Sequence, residues 1–163
     1  MLDIQTVSPA NVSLVVPLVQ EYWAFEAIDG FDAGQIVAQL SRLSADEQRG
    51  AAWVAMDDGK AVGYVIVVYV FSLEHLGLTA EVDELYLRAG DRNRGIGQAL
   101  MQAVEAAAVR AGCSNLSLQV SRTNENARRF YRRAGFVDRP QYQLLEKTLH
   151  SRPSTPEKGN RQP

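Results

Sequence analysis

The sequence predicts an α/β protein: one mixed, twisted sheet of about seven strands with helices on both faces. Three observations carry this. Two apolar runs, Ala51 to Met56 and Ala61 to Val70, flank Asp58-Gly59, a strong two-residue hairpin signal, so neighbouring strands pair antiparallel. A further run, Val82 to Leu87, leads through the glycine loop at 92–97 into a long alanine-rich helical pattern. Beyond that pattern Leu116, Leu118 and Val120 alternate as another strand, which makes a strand–helix–strand crossover with parallel strands.

The elements follow in order. Leu2 to Val7 reads as a short first strand. Ser8-Pro9 is a helix start, with Ser as N-cap and Pro in the first turn. Val12, Val15, Val16, Val19, Tyr22 and Trp23 recur at helical spacing, and Pro17 inside this pattern predicts a kink or two short helices. Asp32 caps a second helix carrying Ile36, Val37 and Leu40. Gly63 interrupts the second hairpin strand, as a bulge or a close backbone approach would. The run Val65 to Val70 predicts a strand buried on both faces, and Phe71 to Thr79 a loop. In the long helix Ile96, Ala99, Leu100, Ala103, Val104, Ala107 and Ala111 form one stripe, and Gly112 closes it. Asn124 starts another helix, which turns Ala127, Phe130, Tyr131 and Ala134 inward and stops at Gly135. Phe136-Val137 and Tyr142 to Leu149 read as the last strands. The order is β-α-α-β-β-β-α-β-α-β-β. One domain spans 1–150, and the tail 151–163, rich in Pro, Ser, Lys and Gly, is expected to be disordered.

Composition excludes several classes. Apolar content of 46% and charged content of 22% describe an ordinary soluble globular chain. A formal net charge of −2 gives no global basic field for nucleic acid. Cys113 is the one cysteine, so it forms no internal disulfide and no thiolate metal site; no metal is expected. No apolar run has the length of a membrane span, and Asp3 stands where a signal peptide would be positive, so a cytoplasmic location is expected.

The most informative segment is Arg92-Asn93-Arg94-Gly95-Ile96-Gly97. Glycines at a strand–helix junction let the chain turn sharply and keep side chains out of a ligand's way. The first N–H groups of the helix lack intrahelical partners and carry its positive dipole end, so the junction is a seat for an anion. It is not a dinucleotide fingerprint, because Leu100 stands where the third glycine would be. A Walker Gly-Lys-Ser/Thr is absent as well.

The pattern Arg92-x-x-Gly95-x-Gly97 resembles the pyrophosphate loop of the GCN5-related N-acetyltransferases (GNAT family). A second block, Asn124-Glu125-Asn126-Ala127-Arg128-Arg129-Phe130-Tyr131 with Gly135-Phe136, is similar to a later block of the same family, in matching order and separation. The likeness runs from about Ala80 to Leu149; the first 79 residues fit in outline. It implies the GNAT fold and an acetyl-CoA-dependent N-acetyltransferase, an acyltransferase acting on a primary amine. The acceptor is expected to be a small molecule, attacking directly without a covalent acyl-enzyme. Protein N-terminal or lysine acetylation is the alternative within the enzyme class, and a non-catalytic acyl-CoA-binding sensor the alternative outside it. No nucleic-acid or membrane partner is implied, and a homodimer is open by family resemblance.

The resemblance also implies roles. Gly95, Ile96, Gly97, Gln98 and Ala99 offer backbone N–H groups to the pyrophosphate, and Arg92, Asn93 and Arg94 add donors. Leu85, Tyr86 and Leu87 offer main-chain groups to the pantetheine arm, which lies like an added strand. Asn124 contacts coenzyme A, with Asn126 as substitute. Tyr131 matches the tyrosine that protonates the departing thiolate.

The general base is open among Glu81, Glu84 and His75. Glu81 matches the glutamate of histone-acetylating relatives, and Glu84 a recurrent acid of small-amine relatives. Alternation groups Glu84 with Val82 and Tyr86, and Glu81 and Asp83 with Leu85 and Leu87. Glu84 is preferred for its face, although a bulge would swap the two faces. Gln119 stands where ribosomal-protein-acetylating relatives carry a glutamate, which disfavours that subclass. Glu21, Glu26, Asp29 and Asp32, with Tyr22, Trp23 and Phe25, are candidates for an acidic, aromatic acceptor pocket.

Overall fold

The computed structural model describes residues 1–149; the expected tail lies outside the described residues. Five strands form one sheet in the order β1-β2-β3-β4-β5. They are β1 Leu2–Thr6, β2 Gly50–Asp57, β3 Lys60–Ser72, β4 Gly77–Leu87 and β5 Leu116–Leu118. Only β4 and β5 run parallel, joined by the crossover helix α3, Ile96–Arg110. The other neighbours pair antiparallel, as the short links require.

Helices cover both faces. Helix α3 buries Ile96, Leu100, Met101, Val104, Ala107 and Ala108 against Val65, Val67, Ala80 and Val82 of β3 and β4. On the opposite face α1, Val16–Phe25, and α2, Ala33–Ser44, pack Leu18, Val19 and Leu40 on Val54, Tyr64 and Ile66. Val65 and Ile66 thus face opposite cores, which explains the unbroken apolar run of β3. Helix α4, Glu125–Arg133, brings Phe130 and Tyr131 to the α3 side.

The hairpin turn has Asp58 at φ 46° and Gly59 at φ 75°, the two left-handed residues that such a turn demands. Gly63 proves to be both things expected of it. The β2–β3 register shifts beside it, and a Cβ there would meet Leu87 Cδ2 at 2.3 Å and the Tyr86 carbonyl at 2.6 Å. Asp32 caps α2 by accepting the N–H of Gln35 at 2.8 Å.

Several expectations are corrected. The sheet has five strands among the described residues, not about seven: Phe136-Val137 and Tyr142 to Leu149 are not strands. A strand needs a ladder partner. Leu144 and Leu145 are adjacent, so alternation cannot bury both on one face, and both stay exposed. Residues 71–79 are mostly strand rather than loop, because Phe71 pairs with Leu78 and Ser72 with Gly77, leaving a turn of four residues. Ser8 caps no helix: its N–H donates to Asn11 Oδ1, a short 3-10 helix follows at Val12–Leu14, and α1 starts at Val16 with Pro17 in its first turn.

The most consequential correction is in β4. Ile66 pairs with Glu84 but Val67 pairs with Val82, so Asp83 is an extra, bulged residue. Residues directly opposite in an antiparallel pair share a face. Glu84 therefore shares a face with Tyr86 as expected, but with Glu81 rather than Val82. Val82 turns with Leu85 and Leu87 to the α3 core.

Candidate active site

Two features of β4 build the site: where its neighbour stops and where its bulge falls. The ladder to β5 covers only Ala80, Val82 and the residue between, against Leu116–Leu118. From Asp83 to Leu87 no strand lies beside β4 on that side among the described residues. Leu85, Tyr86 and Leu87 lie on this open stretch, where an extended ligand can add as a strand. The Leu87 carbonyl accepts Arg92 Nε at 3.0 Å.

The glycine loop sits at the end of the same stretch. Asn93 has φ 62° and Gly95 φ 81°, so the chain turns through two left-handed positions before α3 begins. A Cβ on Gly95 would meet nothing within 4 Å, so the approach to the helix N-terminus is clear. Gly97 differs. It is buried, and a Cβ there would meet Leu87 Cδ1 and Phe130 Cζ, each at 3.3 Å. Its missing side chain sets how closely α3 lies to β4 and α4. Arg94 is a clamp: its guanidinium bonds Asp91 at 2.8 Å and Asp57 at 2.7 Å. The Arg92 guanidinium lies 5.8 Å from the centre of the Phe25 ring at the end of α1. Ile96 is buried in the core under the loop, and Gln98 is exposed on the first turn of α3.

On the α1–α2 side of β4 lies a cavity of about 370 Å³, lined by Trp23, Asp32, Asp83 and Glu84 among others. Glu84 is oriented from two directions. The Tyr64 hydroxyl donates to its Oε2 at 2.6 Å, and Trp23 Nε1 donates to its Oε1 at 3.2 Å. Burial, and then the charge of Glu84, push the Tyr64 phenol far above its ordinary value, so it stays a donor. Burial and the neighbouring Glu81 hold Asp83 above the usual carboxylate range. Glu81 accepts Gln119 Nε2 at 3.0 Å on the β5 side.

Across the open stretch stands α4. Asn124 caps it, accepting the Ala127 N–H at 3.1 Å, while Asn126 Oδ1 is engaged with Arg129. Tyr131 packs against Phe130 and Phe136, and burial pushes its phenol up to about 12. Tyr22 of α1 is also pushed up to about 12, by burial first and then by the charges of Glu84, Glu26, Tyr131 and Asp83. Tyr131 and the β4 acids are thus within electrostatic reach of the same α1 residue.

Other candidates fall elsewhere. His75 lies in the turn between β3 and β4, and from there to Glu84 is roughly 25–30 Å of extended chain. The Cys113 thiol is pushed up by burial, which leaves it unactivated. Glu21 is bound by Arg88, at 2.7 Å to one guanidinium nitrogen, and by the Tyr86 hydroxyl at 3.2 Å. Arg88 also bonds the Ala61 carbonyl at 2.8 Å, which ties α1 to β3 and to the end of β4. Neither Arg88 nor Tyr64 was singled out in the sequence. Tyr64 sits two positions from Ile66, the residue opposite Glu84, so the pairing register was the signal that could have found it. Among the described residues no group of His, Cys, Asp and Glu could hold a metal ion, and no helix is long and apolar enough to cross a membrane.

Residues 16–136 match the family described as the acetyltransferase (GNAT) family. An uncharacterized N-acetyltransferase of Mycobacterium tuberculosis is 32% identical over 105 residues, 64% of this chain and 64% of that protein. A counterpart in Mycobacterium bovis matches with the same figures. The alignment therefore spans a little under two thirds of these relatives' length. An integron cassette protein from the mobile metagenome of Cole Harbour Salt Marsh superposes with a TM-score of 0.80 at 25% identity, over 91% of each chain. AAC(6')-Iy, solved with the bisubstrate analog CoA-S-monomethyl-acetylneamine, superposes with a TM-score of 0.78 at 17% identity, over 91% of this chain and 99% of that one, a likeness of fold.

Proposed function

The chain belongs to the GNAT acetyltransferase family, and on that premise we propose that it moves an acetyl group from acetyl-CoA to the primary amine of a small molecule by direct attack. The observation that carries this reading is the place of Glu84. It lies on the stretch of β4 that β5 leaves open, in the wall of a cavity of about 370 Å³, held by Tyr64 and Trp23. A cavity of that volume suits a small acceptor.

Acetyl-CoA would supply the activated thioester carbonyl. Gly95 and the N–H groups of Ile96, Gly97, Gln98 and Ala99 seat the pyrophosphate, with Arg92 and Asn93 adding donors and Arg94 bracing the loop. Leu85, Tyr86 and Leu87 present main-chain groups to the pantetheine arm. Asn124 spends its side-chain oxygen on the helix cap and keeps its amide N–H groups for the cofactor. Glu84 takes the amine proton, directly or through one water, and Glu81 on the same face is its understudy. Tyr131, protonated at any working pH, donates to the departing sulfur. Cys113 takes no part, in keeping with attack without an acyl-enzyme.

The test couples two measurements. Calorimetry is expected to show acetyl-CoA binding, and a thiol-release assay with an amine panel is expected to show turnover that Glu84→Gln lowers by about a hundredfold while leaving the binding intact. Absence of acetyl-CoA binding at millimolar concentration overturns the reading.

A further inference from the structure

The cavity beside β4 carries information about the body of the acceptor as well as its amine. One wall is apolar: Ile36, Leu40 and Leu43 of α2, at helical spacing, share it with Ile66 and Val68 of β3. Three carboxylates, Asp32, Asp83 and Glu84, line the same cavity, and no lysine, arginine or histidine does. Two of the three are already engaged, Asp32 as the cap of α2 and Glu84 by Tyr64 and Trp23. Asp83 is the residue the bulge adds, and it sits next to Glu84 at the β4 end.

These features sort acceptors. A positive charge is favoured beside Asp83 and Glu84, and a carboxylate or phosphate there is repelled. An apolar body gains by covering the α2–β3 wall, while a hydroxyl-rich or multiply charged body loses solvation against its five apolar side chains, with Gln35 and Gln39 the uncharged amides of the lining. We infer that the acceptor is a monoamine whose ammonium is carried on an aryl or branched-alkyl body with no anionic group beside it. The inference rests on the acetyl-transfer reading and narrows it. In the balanced transfer an N–C bond forms and the thioester C–S bond breaks; of the two protons the ammonium gives up, one reaches the sulfur and one leaves to solvent.

The test compares kcat/KM by thiol release for 2-phenylethylamine, phenylalanine, spermidine and neamine at saturating acetyl-CoA, with acetyl-CoA binding measured separately by calorimetry. Phenylalanine has the same body as 2-phenylethylamine plus one carboxylate, so that pair isolates the charge. 2-Phenylethylamine is expected to exceed each of the others by about tenfold or more. Ile36→Asn places a polar amide in a half-buried part of the apolar wall, and is expected to raise KM for 2-phenylethylamine with kcat kept. Spermidine, neamine or phenylalanine equal to or better than 2-phenylethylamine overturns the inference, as does an unchanged KM in the folded Ile36 variant. Binding of acetyl-CoA with a preference for spermidine sinks the acceptor inference alone; failure of acetyl-CoA to bind sinks the acetyl-transfer reading beneath it.

Discussion

Tyr64→Phe is the sharpest probe of the proposed base. Tyr64 is fully buried, and its hydroxyl donates to Glu84 Oε2 at 2.6 Å. The substitution deletes one oxygen and keeps the ring that packs in the α1–α2 core. A hydrogen bond to a charged acceptor is worth about 1.5–3 kcal/mol. At 1.36 kcal/mol per pH unit, that is roughly 1–2 units of titration. The sign follows from the direction of the bond. The phenol donates to the ionised carboxylate, so losing it favours the protonated form. The acid limb of kcat/KM should therefore move to higher pH by about one unit or more. Trp23 still donates to Oε1 at 3.2 Å and keeps the carboxylate in place. The assay is thiol release across roughly pH 5 to 9, with urea unfolding of the same variant as a check on folding. A folded Tyr64→Phe protein whose acid limb does not move refutes Glu84 as the titrating base, and a limb that moves to lower pH refutes the assigned donor.

Tyr131→Phe should lower turnover by roughly a hundredfold while acetyl-CoA affinity by calorimetry stays within about twofold; unchanged turnover returns Tyr131 to the packing role it shares with Phe130 and Phe136. The two loop glycines should separate. Gly95→Val forces a left-handed residue at φ 81° with no neighbour to hit, at about 1–2 kcal/mol, and should remove the thermal shift given by acetyl-CoA. Gly97→Val meets Leu87 and Phe130 and should lower the melting temperature before any ligand is added, and a ligand-free Gly97→Val protein that melts with the parent would contradict the contacts. Alkali should unfold the protein. The Tyr22 and Tyr131 phenols are raised to about 12 by burial, so their contribution is complete below pH 10, where the unfolded phenols ionise, and is lost as pH rises through 12. A urea midpoint that holds from pH 8 to 11 would contradict this.

What was legible in the sequence was what local chemistry dictates. Asp58-Gly59, the Asp32 cap, the turn at Gly95 and the close at Gly112 each follow from one residue's backbone preference, and each stands in the structure. The crossover between β4 and β5 followed from handedness and link length. What was not legible depends on pairing. The strands expected after Gly135 had apolar residues enough, but among the described residues they pair with no other strand. Gly97 looked like Gly95 in the sequence, yet one is packed against Leu87 and Phe130 and the other is open. Glu21 looked like a pocket acid, and only the fold brings Arg88 to occupy it.

The bulge at Asp83 joins these threads. Without it, strict alternation would put Glu81 and Glu84 on opposite faces, one toward the α3 core, where Val65, Val67 and Leu100 are buried and a carboxylate has no partner. With one extra residue, both acids turn to the side where Tyr64 and Trp23 wait, and Val82 and Leu85 fill the α3 core together. The bulge also falls where the β4–β5 ladder ends at Val82 and Leu118. Bulges bend a strand and raise its local twist, so the residue that aims the acids is placed to swing β4 away from its parallel neighbour. One inserted residue thereby brings Glu81 to the face of Glu84 and stands where the open edge begins. That explains how three acids in four residues fit within a strand of the sheet.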